Sequence, residues 1–185
     1  MNENIFIALI HHPVYNKDGD IITTTVTNYD LHDISRAART YGIKRYYVIN
    51  QLKSQQALVK RMRDYWVSGF GAEYNSTRHE AFKVMKIKDT LAATVDEIIN
   101  ITGNQPTLIT TSAQKSEETI TFDNLREKIN KTNEPYLIIF GTGWGLAKEV
   151  IEKSDYLLEP VKGNTEYNHL SVRSAASIIM DRLLS

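Results

Sequence analysis

The chain has 185 residues, of which 42% are apolar and 24% charged, as in ordinary globular proteins, and we expect one domain spanning 1–185. Its 22 lysines and arginines balance its 22 aspartates and glutamates, which disfavours a generic polyanion binder, so any contact with nucleic acid needs a local basic patch. The absence of cysteine excludes disulfides and thiolate metal sites and fits a cytoplasmic protein, and we predict neither a signal peptide nor a membrane span.

The chain alternates short apolar runs with helical patterns. Strands are predicted at 5–11, 45–50, 84–87, 108–111, 136–140 and 156–158. Helices are predicted at 30–41, 55–67, 76–82 with Ser76 as the cap, 90–101, 123–130, 146–151 and 168–184. A turn is predicted at 16–19 and loops at 70–74 and 112–119, while 21–27 is either extended or a functional loop. This alternation predicts an α/β fold with a mostly parallel sheet and helices on both faces.

Two loops in the last third of the chain point to a binding site. The apolar strand 136–140 runs into residues 141–146 (GTGWGL), called the glycine loop below, and 158–163 leads into 167–173. Glycines directly after a buried strand leave backbone N–H and C=O groups open to a ligand, because no Cβ blocks a close approach. A flat, polar cofactor such as a nucleoside fits such a site.

Two helices carry informative charges. Leu31, Ile34, Ala38 and Tyr41 form an apolar stripe on the helix 30–41. His32, Arg36 and Arg39 share another face, which is either a solvated basic face or a cluster that meets an anionic substrate. Arg173 near the start of the last helix is disfavoured by the helix dipole, so we expect an anion beside it.

Several catalytic classes lack their motifs. There is no P-loop and no GxSxG nucleophile elbow, and the five histidines do not have metal-site spacing, so no metal is expected. The glycine loop imitates the dinucleotide fingerprint, but Leu146 occupies the place of its third glycine, which makes a Rossmann dehydrogenase a poor fit.

The chain resembles SPOUT-type RNA methyltransferases, whose S-adenosylmethionine (SAM) site is knotted. More narrowly, it resembles the small group of SAM-dependent RNA methyltransferases found beside, or fused to, bacterial tRNA guanine-N1 methyltransferase. The resemblance covers nearly the whole chain and includes 12–17 (HPVYNK), 27–34 (TNYDLHDI), 38–42 (ARTYG), 69–75 (GFGAEYN) and both C-terminal loops. It implies SAM as the cofactor, a deep C-terminal trefoil knot, a homodimer, and RNA, expected to be tRNA, as the acceptor.

The resemblance also implies catalytic residues. The first motif of the family falls on Asp30, Arg36 and Gly42, with Asp30 in place of the usual asparagine. Arg36 is the main candidate, because a guanidinium can hold a phosphate bidentately or stabilise charge on the acceptor. Asp30 or His32 is the candidate general base. In related SPOUT homodimers the basic helix of one subunit lies near the cofactor of the other, which would bring Arg36 to the partner's site.

Three loops are implied to hold SAM through their backbones, with Leu158 and Leu170 as apolar walls. The glycine loop lacks the glutamate of many relatives, and His169 stands where asparagine is common. Trp144 is interpreted as a packing residue, with base stacking as the alternative. The predicted cofactor residues are Thr110, Thr111, Ser112, Ala113, Gly141, Thr142, Gly143, Trp144, Gly145, Leu158, Glu159, Pro160, Val161, Tyr167, Asn168, His169, Leu170 and Ser171.

Four cations are candidate RNA contacts, although each alone is also an ordinary surface charge: Lys17, Arg39, Arg78 and Arg173. Two alternatives stay open at this point. One is a SAM-binding protein of the same fold with a non-RNA acceptor or no catalysis. The other is an unrelated nucleotide-binding α/β protein, such as a dinucleotide-dependent enzyme.

Overall fold

The computed structural model describes residues 4–114, 116 and 118–185. Met1 to Glu3 lie outside the described residues, as do Lys115 and Glu117 within the predicted loop 112–119. The strands are Ile5–Ile10 (β1), Val14–Tyr15 (β2), Ile21–Ile22 (β3), Arg45–Ile49 (β4), Met85–Lys88 (β5), Thr107–Thr111 (β6), Tyr136–Gly141 (β7) and Tyr156–Leu158 (β8). The helices are Asn28–Thr40 (α1), Lys53–Val67 (α2), Phe70–Tyr74 (α3), Ser76–Lys83 (α4), Leu91–Thr102 (α5), Phe122–Lys131 (α6), Lys148–Glu152 (α7) and Val172–Leu184 (α8).

Six of these strands form one parallel sheet in the order β5-β4-β1-β7-β6-β8. Side chains alternate between its faces, so Ile7 and Leu9 of β1 join one core with α1, α2, α4, α6 and α8. Phe6 and Ala8 join a second core with α5 and α7 on the opposite face. The predicted α/β fold, with a mostly parallel sheet covered on both faces, is therefore confirmed.

The segment Phe70–Tyr74 is a helix, and its prediction as a loop was wrong. Gly71 packs so closely on α2 that a Cβ added there would lie 2.6 Å from Cε3 of Trp66 and 2.7 Å from Cε1 of Tyr65. The glycine therefore permits close helix packing rather than a loop. The predicted cap of α4, Ser76, was wrong by one residue. The cap is Asn75, whose side chain accepts from the backbone N–H of Arg78.

Two C-terminal helices begin later than predicted. α7 begins at Lys148 because Leu146 forms a bridge with Val14, and the N–H of Ala147 donates to the carbonyl of Pro13 at 3.2 Å. α8 begins at Val172, capped by the Ser171 side chain, which leaves 168–170 as a loop.

Among the described residues, no helix is long and apolar enough to cross a membrane. The cytoplasmic location stays a prediction.

Candidate active site

A cavity of about 650 Å³ opens where β6 and β7 end and α8 begins. Ligands of parallel α/β sheets commonly bind outside the carboxyl ends of the strands, and a volume of this order suits a small cofactor. Most of the predicted cofactor residues line it: Thr111, Ser112, Ala113, Gly141, Thr142, Gly143, Trp144, Gly145, Glu159, Val161, Asn168, His169, Leu170 and Ser171.

Four predicted cofactor residues are not part of that lining. Thr110 is buried, and its hydroxyl shares a hydrogen bond with that of Ser154 at 2.9 Å. Leu158 lies in the core and Pro160 is buried, whereas Tyr167 is exposed beside His169. Leu158 therefore does not form the expected wall, and apolar lining comes instead from Phe140, Val172, Ala175 and Ile179.

The glycine loop is held by the short hairpin of β2 and β3. The N–H of Trp144 donates to the carbonyl of Tyr15, and the N–H of Tyr15 donates to the carbonyl of Gly145, both at 2.9 Å. Gly143 has φ +61°, and a Cβ added to it would lie 2.8 Å from the carbonyl oxygen of Tyr15. Any other residue at position 143 would displace the backbone of the hairpin or of the loop. Because the hairpin holds the glycine loop by hydrogen bonds, the loop is ordered before a ligand binds.

Side-chain hydrogen bonds hold the other two C-terminal segments, which lie after β8 and before α8. The side-chain amide of Asn168 donates to the carbonyl of Ala113 at 2.9 Å, which joins the segment before α8 to the loop after β6. The carboxylate of Glu159 accepts from the N–H of Phe122 at 2.8 Å, at the positive end of α6. The cavity wall is thus a connected set of backbone segments.

A threonine-rich wall on the N-terminal side of the cavity is not among the predicted site residues. Thr24, Thr25 and Thr27 line the cavity beside Asp30, which the sequence did predict as a catalytic candidate. The hydroxyl of Thr24 lies 2.5 Å from that of Thr142, so the N-terminal wall contacts the glycine loop directly. The sequence did contain a signal for this wall, because the threonine-rich segment 21–27 was predicted to be either extended or a functional loop.

The buried imidazole of His11 supports this wall from behind. Its Nδ1 lies 3.0 Å from the hydroxyl of Thr24, and its Nε2 has no hydrogen-bond partner among the described residues. Burial lowers the pKa of His11 to about 4, so the ring is neutral at neutral pH. The neutral ring can hold the hydroxyl of Thr24 without placing a charge beside the cavity.

Asp30 lines the cavity and is 7% exposed. Its carboxylate lies 3.5 Å from Nε of Arg173, whose Nη1 is 3.1 Å from Asp33 and whose guanidinium stacks over Tyr29 at 5.3 Å. The anion expected beside Arg173 is therefore present, and there are two. They offset the unfavourable position of a cation at the start of α8.

The other two catalytic candidates do not line the cavity of their own chain. His32 packs edge-on against Phe82 and Trp66, with ring centroids 4.7 and 5.5 Å away. Burial, and next the charge of Arg78, lower the pKa of His32. Arg36 is exposed, and none of the described residues pairs with its guanidinium. On this face of α1, the imidazole of His32 is therefore packed against other rings, whereas the guanidinium of Arg36 is exposed.

The four candidate RNA contacts lie on different elements. Arg39 pairs with Glu80 at 3.8 Å, and Arg78 lies over the ring of Trp66 at 4.6 Å. Lys17 is exposed in the turn between β2 and β3, and Arg173 lies on α8. Within residues 4–114, 116 and 118–185, no group of three histidine or acidic side chains could hold a metal ion.

A family model described as SAM-dependent RNA methyltransferase matches residues 4–185. An uncharacterized protein of Aquifex aeolicus is 42% identical over 185 residues, which cover 100% of this chain and 90% of that protein. A tRNA (guanine-N(1)-)-methyltransferase of Nitratidesulfovibrio vulgaris is 41% identical over 181 residues, which cover 98% of this chain and 42% of that protein. The chain thus spans less than half the length of the latter.

Among solved structures, the fold is similar to that of the SpoU methyltransferase AviRb from Streptomyces viridochromogenes in complex with the cofactor AdoMet. The TM-score is 0.60 at 15% identity, with 98% of this chain and 57% of that chain covered. At this identity the similarity shows a shared fold alone.

Proposed function

The chain belongs to the family of SAM-dependent RNA methyltransferases, of the SPOUT type, and we propose that it methylates tRNA at the cavity formed by its C-terminal loops. The observation that carries the proposal is this backbone-lined cavity at the ends of β6 and β7. The name of the relative from Nitratidesulfovibrio vulgaris favours tRNA over other RNAs. The resemblance inferred from the sequence is confirmed at the level of the family.

The residues of the cavity fit SAM as a ligand. Gly143 and Gly145, with φ of +61° and +111°, carry no Cβ that would cover the glycine loop, so a nucleoside can approach its backbone closely. The loops 111–113 and 168–171 would complete the backbone cradle, and Leu170 would supply an apolar wall. SAM, when bound, supplies an electrophilic methyl group, so neither a metal nor a covalent enzyme intermediate is required.

The chain's own part in the reaction is to position the acceptor and receive its proton. Asp30 is favoured over His32 as the base, because Asp30 lines the cavity whereas His32 packs between Phe82 and Trp66. The free guanidinium of Arg36 would hold a phosphate of the acceptor or stabilise charge on it. Since Arg36 does not line its own chain's cavity, it would act at the site of the partner subunit.

Two further features rest on the family resemblance. We propose a deep trefoil knot in the C-terminal part and a homodimer that combines α1 of one subunit with the cavity of the other. We also propose one domain spanning 1–185, which rests on length and composition. The knot would place the three loops around the cofactor, and the homodimer would complete the catalytic set.

Two measurements test the function. A thermal-shift assay should show that S-adenosylhomocysteine stabilises the protein and that NAD and ATP do not, since a ligand at a hundred times its Kd adds about 2.7 kcal/mol. The purified protein with SAM should then methylate tRNA from a strain that lacks its gene, as measured by mass spectrometry of the nucleosides. Stabilisation without any methylated tRNA nucleoside, but with methylated ribosomal RNA, would refute tRNA as the acceptor.

A further inference from the structure

Trp144 stands exposed at the mouth of the cavity. It lines the cavity, yet its side chain is 65% exposed, and within the described part of the chain no ring or cation packs on its indole. The prediction of a packing residue was therefore wrong. The other tryptophan, Trp66, is 9% exposed and lies among the rings of His32, Tyr65 and Phe82. One tryptophan packs into the fold, whereas the other is left available to a ligand.

The exposed indole stands on a fixed support. The backbone N–H of Trp144 donates to Tyr15, and a further bond at 3.1 Å runs from the N–H of Gly145 to the carbonyl of Thr142. The two flanking glycines have positive φ, so the chain turns sharply on both sides of the residue. The backbone under the indole is therefore already ordered, and a tryptophan side chain has only two rotatable bonds, so packing a ligand against it costs little entropy.

The surroundings of Trp144 indicate what the ligand is. Thr24, Thr25 and Asp30 line the same cavity from the N-terminal side, and none of them belongs to the loops assigned to SAM. Hydroxyls and a carboxylate can donate to and accept from the edge of a base, while an indole offers a flat apolar face. A ribose has no planar apolar face to set against the indole, but a nucleobase does, and the polar groups outside the SAM loops favour a base of the RNA over the adenine of SAM.

We infer that Trp144 stacks on a base of the bound RNA, with the threonine wall and Asp30 facing the edge of that base. The inference rests on the proposed function, because it names the part of the RNA that enters the cavity beside the cofactor. Trp144 is thus a substrate-binding residue, and SAM is held by other groups of the cavity.

Steady-state kinetics of Trp144→Ala test this assignment with tRNA from a strain that lacks the gene. Loss of one base–aromatic stack should raise the KM for tRNA roughly 5- to 150-fold and leave the affinity for S-adenosylhomocysteine unchanged. Trp144→Phe should keep the KM within about threefold of wild type, because a stacking face remains. Tyr74→Ala is the matched control, since Tyr74 is 75% exposed but lies on α3 and does not line the cavity.

Fluorescence gives an independent readout. Bound tRNA should quench the emission of Trp144 in the wild type but not in Trp144→Phe, whose only tryptophan is the buried Trp66. Quenching by S-adenosylhomocysteine alone, with lost affinity for it in Trp144→Ala, would overturn the inference, because the indole would then contact the cofactor. An unchanged KM for tRNA in Trp144→Ala would also overturn it, and in that case the proposed methyl transfer to tRNA would still stand. A wild-type protein that methylates no tRNA would instead refute the proposed function and the inference with it.

Discussion

The guanidinium of Arg36 lies on the exposed side of α1, without a partner among the described residues. Removing it should therefore change the free energy of unfolding by less than about 0.5 kcal/mol. If it stabilises charge on the acceptor, Arg36→Ala should lower kcat by roughly 100-fold or more and leave the affinity for S-adenosylhomocysteine unchanged. Calorimetry and a methyl-transfer assay measure the two quantities.

Arg61→Ala provides the control, because Arg61 is an exposed arginine on α2, the next helix along the chain. It should keep both kcat and cofactor affinity. An equal loss of cofactor affinity and methyl transfer in Arg36→Ala would contradict a role in the chemical step.

The buried His11 should make stability depend on pH. Its folded pKa of about 4 lies below the ordinary 6.5, so the unfolded chain binds the proton more tightly. The contribution of neutral, buried His11 to the free energy of unfolding is complete above pH 6.5. It is lost as the pH drops toward 4, by about 3 kcal/mol in total. His32, whose pKa is also lowered, acts in the same direction.

Urea unfolding between pH 4.5 and 7 measures this effect. His11→Asn should flatten the dependence, because asparagine does not titrate and its amide can still reach Thr24. His169→Asn removes an exposed histidine and should leave the slope as in the wild type. An unchanged slope in His11→Asn would mean that another group controls the acid sensitivity.

At the scale of elements, α3 depends on the absence of a Cβ at Gly71. An added methyl group would press on the rings of Trp66 and Tyr65 at 2.6 and 2.7 Å, and although Tyr65 is exposed, Trp66 is buried and cannot move freely. We expect Gly71→Ala to lower the free energy of unfolding by about 1–3 kcal/mol. Gly163→Ala should change it by less than about 0.5 kcal/mol, because no atom lies within 4 Å of its added Cβ. Equal denaturation midpoints for the two variants would show that α3 can shift at no cost.

The sequence predicted the elements whose burial is regular. β1 and β7 are buried almost throughout, so they appear as continuous apolar runs, and α1 appears as the stripe of Leu31, Ile34 and Ala38. α3 was missed because its glycine serves a tertiary contact with α2, which no local pattern contains. The strands β2 and β3 are two residues each, too short to show a period.

The candidate site was predictable only in part, for the same reason. The C-terminal loops were found because glycines follow a buried strand. The N-terminal wall was not, because the contact between Thr24 and Thr142 joins residues 118 positions apart. The partners of Arg173 were expected as anions, but their identity depends on a contact between α1 and α8 across 140 positions.

At the scale of the whole molecule, the central position of β1 between β4 and β7 brings the N-terminal wall and the C-terminal loops to one edge of the sheet. Arg36, however, lies six residues beyond Asp30 on α1, about 9 Å farther along the helix axis. Asp30 lines the cavity of its own chain, whereas Arg36 does not. The proposed homodimer would bring Arg36 of one subunit to the cavity of the other.

Complementation between subunits tests that arrangement. Gly143→Ala should abolish cofactor binding, because its backbone has φ +61° and its Cβ would meet the carbonyl of Tyr15 at 2.8 Å. The homodimers of Gly143→Ala and of Arg36→Ala should both be inactive. In a heterodimer of the two, isolated with two affinity tags, one site would join an intact cavity to an intact Arg36. Since the other site would carry both defects, the heterodimer should show about half of the wild-type activity. An inactive heterodimer that still binds S-adenosylhomocysteine would instead mean that Arg36 serves the cavity of its own subunit.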